Sequence, residues 1–217
     1  PFFMLYNEIT EKDAGFVDMF QVMGHGMSLD ATTAGYLTAF PFLLVLISIW
    51  LKKFPLRKLL LPYYIIASLL VAVVFVVDMG LYPFWGFKLD ASIFLYLDSP
   101  KEAMASVSLG FILLRVVAML LLTAFYAWLM WKVTPRKLEA TRKRIGGTLG
   151  MLLLGGILFV IIRGGVTEST SNVGQVYFSN NQFLNHSAVN PCFSLLSSMG
   201  KSKDFASEFN FFDEEQR

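Results

Sequence analysis

Residues 59–79 run LLLPYYIIASLLVAVVFVVDM and carry no charge until Asp78. At 1.5 Å of rise per residue a helix over this stretch is about 30 Å long, the thickness of a bilayer's hydrocarbon core. A run of that length with no charge inside reads as a bilayer-spanning helix, and it sets the scale for the rest of the chain. Three further runs match it: Ala34 to Leu51, Ala105 to Trp131 and Ile145 to Ile162. Composition agrees, with 55% of the 217 residues hydrophobic and 16% charged, where soluble domains carry about a quarter charged. Blocks of this kind exclude a disordered or collagen-like chain, and a single cysteine excludes a disulfide-stapled module. A net charge of +2 is too small to argue for a nucleic-acid partner. The expected fold is an all-α integral membrane protein, a polytopic helical bundle of four spans with interfacial helices on its outer surface. Pro1-Phe2-Phe3-Met4-Leu5-Tyr6 reads as the last turn of an apolar segment that begins upstream, so a fifth span is expected before it.

Within the spans, Pro41 removes a backbone donor and predicts a kink. Gly146 and Gly150 form a small-xxx-small pair of the kind that lets helix backbones approach closely in lipid. Orientation follows from the cations, because short loops rich in Lys and Arg stay on the cytoplasmic side. Lys52, Lys53, Arg57 and Lys58 lie between the first two spans, and Lys132, Arg136, Lys137, Arg142, Lys143 and Arg144 between the last two, with Glu139 the only acid in either connection. Both ends of the chain therefore face outward. Tyr82, Phe84, Trp85 and Phe87 at an outer end, and Trp50 and Trp131 at inner ends, suit the headgroup layer.

Two outer segments share a pattern. Residues 26–37, GMSLDATTAGYL, and residues 86–97, GFKLDASIFLYL, both read G-x-x-L-D-A-[ST]-x-x-x-Y-L at an offset of sixty residues. Asp30 and Asp90 are read as caps that accept bonds from the unpaired N–H groups at a helix start at the interface. In the second copy, Ser92 to Leu97 is expected to form a short surface helix or turn before Pro100-Lys101-Glu102-Ala103 starts the third span.

Arg115 is the one ion well inside a span. An ion at such depth needs a partner, and Asp78, near the outer end of the second span, is the nearest by depth. Arg163 sits at comparable height. Arg115, Arg163 and Asp78 are therefore the candidates for a lipid-headgroup contact, since guanidinium forks match phosphate oxygens. The alternative is a structural ion pair. His25 and His186 have no neighbours at metal-ligand spacing. His25, between glycines, reads as a loop residue, and Asn185-His186-Ser187 matches a glycosylation acceptor. No metal site, phosphate-cradling loop, nucleophile elbow or paired-carboxylate arrangement is visible, so no catalytic residue is assigned.

After the fourth span the chain turns polar but stays studded with aromatics. Short helices resting on the outer surface are expected, with Phe178, Phe183, Phe193 and Leu196 dipping into the membrane. The domain reading is an outer interfacial segment over 1–33, a four-span bundle over 34–166, and an extracytoplasmic amphipathic linker over 167–217.

GQVYFSNNQFLNHSAVNPCFSLLSS (174–198), together with GHGMSLDATTAGYL (24–37) and FWGFKLDASIFLYLDSPKEAMASVS (84–108), resembles the membrane-embedded N-terminal part of lipoteichoic-acid-synthase-like proteins. It is similar above all to the sulfatase-like hydrolase/transferase members of Bacteroidetes-type Gram-negative bacteria. The resemblance implies that an extracytoplasmic domain of the alkaline phosphatase superfamily follows, and that this domain holds a divalent metal and transfers phosphoglycerol or hydrolyses a phosphate or sulfate ester. None of that domain's motifs is in this chain, and no cofactor is expected here. The implied role is to anchor and orient such an enzyme at the outer face of the bacterial inner membrane, with membrane lipids as partners and a phospholipid as donor. A stand-alone transporter or flippase-like protein, or a non-catalytic assembly partner, are the alternatives.

Overall fold

Leucine- and valine-rich runs without interior charge form helix in lipid because every backbone polar group must find its partner within the segment. The structure, a computed structural model, describes residues 2–7, 15–51, 54–94, 108–135 and 143–208. The described residues are helical throughout their regular elements, with no strand. In chain order these are α1 (Phe2–Asn7), α2 (Phe16–Ser48), α3 (Leu56–Trp85), α4 (Leu109–Val133), α5 (Arg144–Arg163), a 3-10 turn (Val173–Val176), α6 (Gln182–Ala188) and α7 (Pro191–Glu208). Four of them, α2 to α5, are long and apolar enough to cross a membrane.

The four expected spans are thus all present, but α2 and α3 are longer than their apolar runs. The 20 residues of α5 make about 30 Å of helix, whereas the 33 of α2 make about 50 Å. The excess lies at one end. Trp50 Nε1 donates to Thr148 Oγ1 (3.1 Å) near the start of α5, and Thr32 Oγ1 donates to the Ile161 carbonyl (3.1 Å) near its finish. Residues 16–31 of α2 therefore continue about 24 Å past the end of α5. α2 packs on α5 and α3 on α4, while contact between the two pairs is sparser.

This extension revises the reading of the N-terminal region. Residues 16–33 are not a separate interfacial segment but the first half of α2, which runs on through Pro41. Its start is at Gly15, whose N–H donates to Asp18 Oδ2 (2.7 Å). His25, expected in a loop, lies inside the helix with its ring stacked on Phe178 at 4.4 Å. The buried positions Val22, Gly26, Leu29, Thr32 and Gly35 recur at three and four residues, one face of a helix. That period crosses the glycines unbroken.

Within the bundle α3 buries Leu60 and Ala72, but the main apolar cluster lies at one end of it. α4 and α5 bury no residue, which suits helices whose outer faces meet lipid. The core instead joins Met4 of α1, Val22 and Leu29 of α2, Tyr82 of α3, Val176, and Phe183, Leu184 and Ala188 of α6. It forms a cap on the end where α2 overshoots. Phe183, 2% exposed, is buried in protein, so it and its packing neighbour Phe178 enter this core and not the bilayer, whereas Leu196 remains exposed.

Two glycines make the turns that bring the chain back over the cap. Gly86 (φ 69°) ends α3 and Gly164 (φ 90°) ends α5, both in the left-handed region that L side chains avoid. After Gly164, Ser171 N–H donates to the Arg163 carbonyl and Ser171 Oγ lies 2.9 Å from Thr32 Oγ1. Thr32→Val, nearly the same shape, leaves Ser171 without that partner and the Ile161 carbonyl without the Thr32 donor. It is expected to cost about 1–3 kcal/mol, read as a lower thermal midpoint of the chain purified in mild detergent.

The close helix approaches differ from the small-xxx-small expectation. A Cβ placed on Gly150 meets nothing within 4 Å and one on Gly146 meets only Lys143 of its own chain, whereas Gly155 lies against the Phe42 ring. Helix α5 therefore approaches α2 closely at Gly155, near its middle. Several expectations fall outside the described residues: the surface turn beyond Phe94, the start of the third span before Ser108, the cations Lys52, Lys53, Arg136, Lys137 and Arg142, and the acidic end at 213–215.

Candidate functional site

The cap places its polar groups in two layers. The lower one begins at Asp78, 3% exposed in α3. Because Gly86 reverses the chain, Lys88 returns to Asp78 and its Nζ donates to Oδ2, while the Leu89 N–H donates to Oδ1 (2.9 Å). The Phe3 ring covers the ammonium at 3.8 Å. Burial pushes the Lys88 pKa down from its ordinary value, and Asp78 partly opposes that. A buried ion pair of this kind is stable only while both members are present.

Beside it, His186 is 5% exposed, with Nδ1 at 3.1 Å from the Tyr82 hydroxyl and Nε2 at 3.4 Å from Gln182 Nε2. Burial first, and then the positive charge of Lys88, hold its pKa below the usual 6.5, with Asp78 pulling the other way. Between that lowered value and 6.5 the unfolded chain binds more protons than the folded one. Stability in this window therefore rises with pH and is lost on acidification. The thermal midpoint of the purified chain is expected to fall as pH drops below 6.5, and His186→Gln, which cannot titrate, should flatten that slope.

The upper layer holds α7. Asn190 caps it, its Oδ1 accepting from the Cys192 and Phe193 N–H groups (3.0 and 3.2 Å), and its Nδ2 donates to Asp30 Oδ1 (2.6 Å). About two turns further on, Ser198 Oγ accepts from the Ala91 N–H (2.8 Å). The two copies of the G-x-x-L-D-A pattern thus grip α7 at separate points. Leu29 and Leu89, its shared leucines, are both buried, 0% and 3% exposed.

This geometry corrects several site assignments. Asp30 sits in the middle of α2 and caps no helix start; its carboxylate is occupied by Asn190 because the helix N-terminus lies fifteen residues earlier. Asp90 does head a turn, its Oδ1 accepting from the Ser92 N–H (2.9 Å) and hydroxyl. Asp78 pairs with Lys88 and not with Arg115. Arg115 lies against Gly80, two residues from Asp78 and hence on another face of α3. Its guanidinium donates to the Tyr6 hydroxyl and stacks on the Tyr6 and Phe111 rings. Arg163 folds back onto the carbonyls of Gly165, Thr167 and Glu168. The three candidate headgroup residues are therefore each held by separate protein partners. Asn185 is no exposed acceptor for a sugar: it is 8% exposed and staples the linker, accepting from Phe178 and Ser179 N–H and donating to the Ser179 carbonyl.

Beneath α7 lies a feature that no motif announced. A cavity of about 920 Å³ opens between α2, α3 and α5, walled by Leu37, Leu70, Val74 and Phe159, and covered by Phe193 and Leu196. Its polar rim is Arg163, Thr170 and Ser171. Volume and lining match sites for small amphiphiles. Among the described residues no group of three or more His, Cys, Asp or Glu could hold a metal.

No curated protein and no solved structure matches the chain. The family described as "Domain of unknown function (DUF3413)" matches residues 23–162, and so takes in the four spans apart from the first turns of α2 and the last residue of α5, while leaving out α1, the 3-10 turn, α6 and α7. With well over half of its length inside that match, this membrane-spanning helical chain belongs to the DUF3413 family.

Proposed function

We infer that the chain is the membrane platform of a sulfatase-like or phosphoglycerol-transferase enzyme, holding an extracytoplasmic catalytic domain at the lipid headgroup plane of the bacterial inner membrane. The observation that carries the reading is the double grip on α7. The Asp30–Asn190 and Ala91–Ser198 contacts fix the last described helix to α2 and to the loop after α3. A domain leaving such a helix acts near the leaflet surface, which raises its effective concentration toward membrane-bound donors. The distribution of Lys and Arg supports an outward cap, and the cavity beneath α7 supports contact with membrane lipid. The divalent metal and the nucleophile belong to the domain that follows, and this chain supplies position.

In the parent enzyme, Asn190→Ala with Ser198→Ala releases α7 without touching the catalytic domain. Turnover of a lipid donor in vesicles is expected to fall about tenfold, as lost effective concentration implies, while hydrolysis of a soluble phosphate or sulfate ester stays unchanged. Equal retention of both activities would contradict the platform reading.

A further inference from the structure

A second cavity, about 330 Å³, opens in the cap beside the buried ion pair and is lined by Phe87, Lys88, Asp90, Tyr177, His186 and Ser194 among others. It differs in kind from the apolar cavity beneath α7, because it carries charges of both signs between aromatic rings. Lys88 is 6% exposed, so its charge lies deep. An ammonium has three donors. Asp78 takes one and the Phe3 ring covers another side, which leaves donor capacity for a further acceptor. Ser194 and Tyr177 add hydroxyls to the same lining. Asp90 stands two residues from Lys88 on non-helical backbone, so their Cα atoms are at most about 7 Å apart. Its Oδ1 is taken by Ser92, and Oδ2 accepts nothing among the described residues.

We propose that this cavity binds a zwitterionic amino-phosphate group of the phosphoethanolamine class, its phosphate on Lys88, Ser194 and Tyr177 and its ammonium on Asp90 against the Phe87 ring. Lys88 and Asp90 thus offer opposite charges from neighbouring positions in the lining of one cavity. Asp78 already offsets the charge of Lys88, so an anion alone gains little there and is opposed by Asp90, whereas a zwitterion also gives Asp90 a partner. Aromatic faces attract ammonium groups, which gives Phe87 and Tyr177 a second use. The proposal deepens the lipid contact of the platform reading and rests on that reading only for the source of the ligand.

The test uses the full chain in mild detergent, with thermal unfolding followed against phosphatidylethanolamine, phosphatidylglycerol, diacylglycerol and free phosphoethanolamine. Phosphatidylethanolamine is expected to raise the midpoint more than the other two lipids. Asp90→Asn, which keeps an acceptor for Ser92, is expected to weaken that response on the order of tenfold in affinity and to leave the phosphatidylglycerol response no weaker, since Asn no longer opposes an anion. Should Asp90→Asn fail to fold, Tyr177→Phe and Ser194→Ala carry the same test by removing single hydroxyls. Competition by free phosphoethanolamine assigns the site to a soluble group, and its failure beside a positive lipid response assigns it to the lipid; either outcome upholds the chemistry. Equal responses to phosphatidylethanolamine and phosphatidylglycerol would overturn it. So would a variant that binds phosphatidylethanolamine like the parent. Neither result touches the platform reading, which is judged by the release of α7.

Discussion

Lys88→Met is expected to lower the stability of the cap by about 3–5 kcal/mol, because it leaves the Asp78 carboxylate buried beside an apolar side chain. The two side chains are 6% and 2% exposed, so water does not replace the lost partner. Met fills most of the lysine stem's volume and keeps contact with Phe3, which confines the change to the charge. The double variant Asp78→Asn with Lys88→Met should recover most of the loss. Asn still accepts the Leu89 N–H that Asp78 Oδ1 now accepts (2.9 Å), and no net charge stays buried. Denaturant or thermal unfolding in detergent, with a tryptophan signal from Trp85 next to Phe87 (ring centroids 5.3 Å apart), measures all three proteins. If the double variant is no more stable than Lys88→Met, the ion pair is not what holds the loop after α3.

The second large effect is expected at Gly26. A Cβ there would lie 2.7 Å from the Ala188 carbonyl oxygen and 3.4 Å from two more backbone atoms of that residue, so no rotamer change relieves the contact. Gly26→Val must push α6 away from α2 and open the core built on Val22, Leu29, Phe183 and Ala188. Cys192 reports the opening. It is 8% exposed, and burial first, aided by Asp78 and Asp30, pushes its thiol pKa up to about 12. Thiol reagents act on the thiolate, so the folded chain should be nearly inert to maleimide at neutral pH. In Gly26→Val, modification of Cys192 is expected to speed up on the order of tenfold or more, as local opening becomes easier. Gly24→Ala is the matched control. Its Cβ meets nothing within 4 Å, so the change should leave Cys192 protected and add up to about 1 kcal/mol through helix propensity.

The four spans were legible because length and uniform apolarity alone specify a bilayer crossing; Leu59 to Met79 needs no tertiary information. The first half of α2 was not, since Gly24-His25-Gly26 looks like a loop until the passing Ala188 carbonyl gives Gly26 a reason to be small. Phe183 was read as membrane-dipping because hydrophobicity does not distinguish a protein core from lipid. The Asp78–Lys88 pair depends on a left-handed turn at Gly86, ten residues that spacing rules for helices cannot bridge. The repeated G-x-x-L-D-A pattern was visible, and its outward placement was read, but its use as two grips on α7 requires Asn190 and Ser198, more than a hundred residues away from the second copy and 160 from Asp30. The cavities could not be read at all, because each draws its walls from three or more elements.

Sidedness decides the account, since a platform for an enzyme outside the cell membrane must carry its cap there. Cys192 is too well buried to report it, so the probe belongs at Ser169, exposed in the turn after α5, and at Lys132, exposed at the opposite end of the bundle. In a Cys192→Ala background, a membrane-impermeant maleimide should label Ser169→Cys in cells whose inner membrane is intact and reach Lys132→Cys only after lysis. Labelling of Lys132→Cys in intact cells, with Ser169→Cys protected until lysis, would contradict it.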